Sequence, residues 1–177
     1  MPGHIAAVLM CAGVTVYKAL ATYAASPGIK IGIVGVGGLG HLALQFARAL
    51  GCETTAISSS PEKKDEALGF GADRFLVSTD RAAMQAFEYS QDLLLCTANG
   101  GINWGTLLNT LKKRGRLVLV GFPDINMNST DLVAHELAIT GSLIGNPPMM
   151  RAMLAFAQEH NITPAVELMP MSRVNEA

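Results

Sequence analysis

Three glycines near the start of the chain have a spacing that can bind phosphate. Gly35, Gly37 and Gly40 follow the apolar run 30–34 in the pattern G-x-G-x-x-G, and a helical pattern begins directly after them. Gly35 allows a tight turn, Gly37 lets a pyrophosphate approach the backbone, and Gly40 lets the helix pack closely on the strand. The free N–H groups at the start of that helix would face the phosphates, so the stretch predicts a dinucleotide-binding turn. A glycine-rich turn without a ligand is the alternative.

The end of the second predicted strand indicates which nucleotide would bind. A carboxylate there accepts hydrogen bonds from the ribose hydroxyls of NAD. The sequence has instead three hydroxyls, Ser58, Ser59 and Ser60, followed by Lys63. These groups can bind a 2′-phosphate through charge-assisted hydrogen bonds of roughly 1.5–3 kcal/mol each, which favours NADP(H) over NAD(H). Alternatively, the serines only cap the next helix and the lysine is solvated, and Glu62 would partly cancel the lysine charge.

Strands and helices alternate along the rest of the chain. This order is typical of an α/β fold of the Rossmann type, a doubly wound six-stranded parallel sheet with helices on both faces. The predicted strands are 29–34, 53–58, 74–77, 92–96, 116–120 and 137–144, with a possible short strand over 166–169. The predicted helices are 4–25, 39–50, 60–68, 81–87, 103–111 and 149–160, where Ser60 is the N-cap and Lys112, Lys113 and Arg114 follow the helix 103–111.

Composition excludes several function classes. Half of the 177 residues are apolar, 15% are charged and the net charge is −1, which gives no support for a nucleic-acid or membrane surface. The apolar run 5–17 is shorter than the roughly 20 residues that span a bilayer, and only His4 precedes it as a partly basic residue. Three widely spaced cysteines fit a reducing compartment. We therefore expect a cytoplasmic protein.

Several motifs in order resemble the zinc-containing medium-chain alcohol dehydrogenases. They are Met10–Tyr17, Gly35–His41 and Gly141–Gly145, and the similarity is greatest to the cinnamyl alcohol dehydrogenase branch and bacterial NADPH-dependent aldehyde reductases. The Ser58–Lys63 stretch and the tail Glu167–Ala177 also resemble that branch. The resemblance covers the whole chain but only the nucleotide-binding half of such enzymes.

The resemblance implies a domain organisation and an activity. Residues 1–26 would be a helical segment from the end of a catalytic domain, 27–165 the dinucleotide-binding domain, and 166–177 the start of the return to the catalytic domain. The complete enzyme would transfer hydride between NADPH and an aldehyde or primary alcohol, with zinc as the Lewis acid. The chain alone would bind nucleotide without turnover. A homodimer would form through the edge strand 137–144.

The resemblance also implies roles for individual residues. Cys11 matches a ligand of the catalytic zinc, although a lone cysteine on an apolar helix is more often a buried structural thiol. Such a zinc needs three protein ligands, so we do not expect it to bind to this chain alone. The residues that match cofactor contacts are Thr15, Gly35, Gly37, Gly38, Leu39, Gly40, Ser58, Ser59, Ser60, Lys63, Thr97, Phe122, Ser142 and Ile144.

Three other functions are compatible with a glycine turn of this kind. A zinc-free quinone oxidoreductase of the same superfamily is one, and Cys11 argues against it. A nucleotide-sensing module that regulates a partner through the apolar face of residues 5–17 is another. A methyltransferase that uses S-adenosylmethionine is disfavoured because Ser58 stands where an acid is expected.

Overall fold

The chain folds around a parallel six-stranded sheet. A computed structural model describes residues 1–24 and 26–176. The strands are β1 (Lys30–Val34), β2 (Glu53–Ser58), β3 (Arg74–Val77), β4 (Gln91–Cys96), β5 (Leu111–Leu119) and β6 (Ala138–Gly141). They pair in parallel in the order β3-β2-β1-β4-β5-β6. The predicted doubly wound Rossmann sheet is therefore confirmed.

Helices connect the strands and cover the sheet. They are α1 (Gly3–Val8), α2 (Val14–Tyr23), α3 (Gly40–Ala49), α4 (Lys64–Gly69), α5 (Arg81–Ala86), α6 (Trp104–Leu108), α7 (Ser129–His135) and α8 (Pro147–Glu159). A π-helical turn, Leu9–Gly13, joins α1 to α2, and 3-10 turns occupy Pro61–Lys63 and Met171–Glu176.

Successive side chains of the buried strands point alternately into two separate apolar cores. Ile31 and Ile33 of β1 belong to the core that contains α2, α3 and part of α8, whereas Val34 belongs to the other core. That second core contains Trp104 and Leu108 of α6. Because both faces of the sheet are buried, the central strands are nearly continuous runs of apolar residues.

The N-terminal helix packs against the first core. Leu9, Val16 and Leu20 are fully buried. The continuous helix from Gly3 to Tyr23 has 21 residues and a mean hydropathy of 1.7 over its most apolar window, so length and composition alone would let it cross a membrane. The helix is thus longer than the apolar run 5–17, and buried core helices can have the same length and composition. Ala25, which ends the predicted helical segment, lies outside the described residues.

Residues 111–115 belong to a strand, contrary to the predicted helix 103–111. Helix α6 ends at Leu108, and β5 begins at Leu111 opposite Gln91. A bulge follows, because the pairing resumes only between Leu93 and Arg116. The three basic residues after Leu111 therefore do not cap a helix; the Lys112 ammonium lies 2.7 Å from the Asp92 carboxylate.

Three smaller predictions also need correction. The sixth strand is shorter than 137–144, since β6 spans only Ala138–Gly141. Residues 166–169 form no strand; within the described part of the chain no strand pairs with them. The Ser60 side chain does not cap the following helical turn; the Ser60 N–H donates instead to the Ser58 hydroxyl at 3.2 Å. The domain boundaries at 26 and 165 stay predictions, and Ala177 lies outside the described residues.

Candidate nucleotide-binding site

A cavity of about 870 Å³ opens at the carboxyl ends of the strands. The chain crosses the sheet in one direction after β1 and in the other after β4, and these two strands are neighbours. Open α/β sheets bind ligands in the crevice at this switch point. The cavity is lined by the residues that follow β1 to β4, including Gly35–Leu39, Ser58, Ser59, Ser78, Thr79, Arg81 and Thr97–Asn103.

The glycine turn has the geometry that its sequence predicts. Gly35 has φ +92°, a backbone conformation that favours glycine. A Cβ on Gly40 would collide with the Gly35 carbonyl, so the helix can approach the strand only without a side chain there. A Cβ on Gly37 or Gly38 would meet no atom within 4 Å, because both residues face the open cavity. The backbone of the turn is thus accessible to a ligand of phosphate size.

Hydrogen bonds hold the turn from two sides. The Thr97 hydroxyl lies 3.0 Å from both the Val34 and the Gly35 carbonyl oxygens. The buried His41 ring accepts a hydrogen bond at Nε2 from the Ala165 N–H, at 3.1 Å. Its Nδ1 therefore carries the proton and donates to the Gly37 carbonyl, also at 3.1 Å. The His41 ring therefore links the glycine turn to the segment that follows α8.

The end of β2 presents hydroxyl groups to the cavity and no carboxylate. Ser58 is buried, and its oxygen accepts the Ser60 N–H, so its own proton is available to an incoming acceptor. Ser59 is exposed beside it. Among the described lining residues there is no Asp or Glu.

Two basic residues near the cavity differ in position. Lys63 does not line the cavity; its ammonium lies 2.9 Å from the carboxylate of Glu66, not of Glu62. Arg81, which the motifs do not indicate, is the single charged residue among the described lining residues. Its place in the sequence could have indicated this position. Arg81 closely follows the third strand, and the carboxyl ends of parallel strands lie at the same edge of the sheet.

Seven predicted contact residues lie in the cavity wall, and the others lie elsewhere. Gly35, Gly37, Gly38, Leu39, Ser58, Ser59 and Thr97 line it. The residues outside the wall are Thr15, Gly40, Ser60, Lys63, Phe122, Ser142 and Ile144. The Thr15 hydroxyl donates to the Cys11 carbonyl at 2.8 Å, and the Phe122 side chain is 83% exposed. Contacts of all these residues with a cofactor stay predictions.

The three cysteines have different surroundings. Cys11 is exposed on the π-helical turn, which disfavours the reading as a buried structural thiol. Cys52 and Cys96 are buried, and burial raises the pKa of both thiols. Within residues 1–24 and 26–176 no group of three or more His, Cys, Asp or Glu could hold a metal ion. The described residues alone therefore do not fit a catalytic zinc.

Comparisons of the sequence and of the structure with known proteins find relatives of the same kind. Residues 38–159 match the zinc-binding dehydrogenase family. An 8-hydroxygeraniol dehydrogenase from Catharanthus roseus is 43% identical over 181 residues, covering 100% of this chain and 50% of the relative. A cinnamyl alcohol dehydrogenase structure from Sorghum bicolor superimposes with a TM-score of 0.94 at 43% identity, covering 99% of this chain and 51% of that one. The structure of a Helicobacter pylori enzyme (CAD) complexed with NADP(H) has a TM-score of 0.87 at 29% identity, covering 99% and 51%.

The sheet order and the glycine turn define a Rossmann nucleotide-binding domain. The chain belongs to the zinc-binding dehydrogenase family. It spans about half the length of the relatives that it matches.

Proposed function

We propose that this chain is the NADP(H)-binding half of a zinc-dependent alcohol dehydrogenase or aldehyde reductase. One observation carries the proposal: a cavity at the switch point joins a glycine turn to a strand end with hydroxyls and without a carboxylate. The resemblance to a structure complexed with NADP(H) supports the choice of nucleotide.

The residues of the cavity fit the parts of this cofactor. Gly37 and Gly38 leave space for the pyrophosphate, and their backbone would approach it directly. Ser58 and Ser59 would donate hydrogen bonds to the 2′-phosphate, where a carboxylate would repel it. Thr97 would support the loop beneath the cofactor, since it already fixes the end of β1.

The complete enzyme would act on an aldehyde or a primary alcohol. The bound nicotinamide would supply the hydride, and zinc would polarise the carbonyl oxygen. Cys11 would contribute one zinc ligand from the exposed side of its turn. Because three protein ligands are needed, the chain by itself is proposed to bind nucleotide without turnover.

Calorimetric titration of the purified chain with NADPH and with NADH tests the proposal. We expect binding of both through the shared glycine turn and a tighter complex with NADPH. Equal affinity for the two would refute the 2′-phosphate argument. Binding of neither would refute nucleotide binding by this chain, and reduction of an aldehyde at the rate of complete relatives would refute the proposed lack of turnover.

We further propose a homodimer through the edge strand β6. This strand pairs only with β5 among the described strands, so its other edge has unpaired backbone groups. Val133 and Leu143 nearby are 78% and 66% exposed. Light scattering should give twice the chain mass at concentrations well above micromolar, and a monomer there would contradict the proposal.

A further inference from the structure

We propose that Arg81, rather than the predicted ligand Lys63, supplies the positive charge that binds the 2′-phosphate of the nucleotide. This inference rests on the proposed function, because it assigns a residue to the phosphate subsite of that same cavity. Arg81 is the single charged residue among the described lining residues. A phosphate that enters the cavity would therefore meet one cationic side chain and no carboxylate among the described lining residues.

The connection between β3 and α5, which carries Arg81, is tied to the end of β2. The Ser78 N–H donates to the Ser58 carbonyl at 2.8 Å, which ties the end of β3 to the end of β2. The Asp80 N–H donates to the Val77 carbonyl at 3.0 Å and closes the turn that precedes Arg81. Ser58, Ser78 and Arg81 all line the cavity, which therefore contains two hydroxyl groups and one guanidinium from these neighbouring segments.

The charges around Arg81 leave its guanidinium available. No ion pair involves Arg81 in the part of the chain that the structure describes. The neighbouring Asp80 carboxylate accepts the Ala83 N–H at 3.0 Å and thereby caps α5. Lys63, in contrast, is paired with Glu66 outside the cavity wall. A guanidinium can also bind phosphate in a bidentate manner, which an ammonium cannot do.

The test uses the full chain with two small probes, adenosine 2′,5′-bisphosphate and 5′-AMP, which differ only in the 2′-phosphate. We expect Arg81→Gln to lower the affinity for the bisphosphate by about tenfold or more, because a charge-assisted hydrogen bond is lost. The affinity for 5′-AMP should fall by less than about twofold. Arg81→Lys should recover part of the loss. Arg74→Gln is the matched control, because it removes the same charge from an exposed residue at the other end of β3.

Each other outcome overturns the inference in a distinct way. An equal loss for both probes would mean that the guanidinium stacks on adenine, which Arg81→Lys would not restore. If Lys63→Gln lost affinity for the bisphosphate and Arg81→Gln did not, Lys63 would be the residue that binds the 2′-phosphate. The proposed function would then still hold. If the unaltered chain bound neither the bisphosphate nor NADPH, the proposed function would fail as well. Thermal melts within about 2 °C of the unaltered chain would show that the variants fold.

Discussion

An added methyl group should have different effects at two glycines of the phosphate turn, Gly40 and Gly37. In Gly40→Ala the new Cβ would collide with the Gly35 carbonyl and lie 3.3 Å from the Thr97 hydroxyl. The first obstacle is backbone and cannot rotate away, so either β1 or α3 must move. In Gly37→Ala the Cβ would enter open space. The first variant should therefore lose stability, and the second should lose affinity only.

The magnitudes follow from known costs. Overpacking of a close contact costs about 1–3 kcal/mol, and alanine recovers at most about 1 kcal/mol of helix propensity over glycine. Because the obstacle is backbone, the cost should lie in the upper part of that range, about 2–3 kcal/mol, and after the gain in propensity we expect Gly40→Ala to lose about 1–2 kcal/mol of unfolding free energy. With a urea m-value of about 2 kcal/mol/M, the unfolding midpoint would fall by roughly 0.5–1 M. Gly37→Ala should unfold like the unaltered chain, yet bind NADPH about tenfold or more weakly, since its methyl group keeps a phosphate from the backbone donors.

Urea unfolding followed by circular dichroism, together with NADPH titration of each variant, checks both expectations. A Gly40→Ala midpoint within about 0.2 M of the unaltered chain would refute the packing argument. Undiminished NADPH binding by Gly37→Ala would refute the argument that a phosphate approaches this backbone.

Three further changes can be tested in the same preparation. Ser58→Asp should lower the preference for NADPH over NADH by at least about tenfold in paired titrations, because a carboxylate repels the 2′-phosphate; an unchanged ratio would contradict this. Cys11 should be the one thiol that reacts rapidly with a disulfide reagent before unfolding, and three should react in urea; Cys11→Ser should abolish the fast phase. Hydrogen bonds from Arg114, then Lys113, hold the pKa of Glu136 below its ordinary 4.5. That contribution to stability is present above the ordinary value and lost as pH falls through the lower one, so Glu136→Gln should show a smaller loss of melting temperature between about pH 5 and 3 than the unaltered chain.

The sequence predicted the first half of the sheet better than the second. Strands β2 and β3 begin and end at the predicted residues, because glycine and proline mark the turns around them. For the start of β5 the sequence predicts the end of a helix instead, because a run of basic residues suits a helix C-terminus. Its structure depends on distant partners instead: Asp92 pairs with Lys112, and Glu136 pairs with both Lys113 and Arg114. Local patterns do not contain such pairings.

The candidate site shows the same limit. Motif spacing located the glycine turn and the serines, because these residues are contiguous in the chain. The motifs did not predict Arg81, because its position relative to Ser58 depends on the pairing of β3 with β2, as between Val77 and Ser58. Residues 166–169 are mostly apolar, but a short apolar run forms a strand only where a partner edge is available.

The way in which the glycine turn is held has a consequence for binding rates. Glycine loses more conformational freedom on folding than any other residue. In this chain the Thr97 hydroxyl and the His41 ring fix the turn through the carbonyl groups of Val34, Gly35 and Gly37. Its entropy is therefore lost when the domain folds, and a phosphate meets donors that are already ordered. Association should then need no conformational step, and differences in nucleotide affinity among variants of this turn should arise mainly in the dissociation rate.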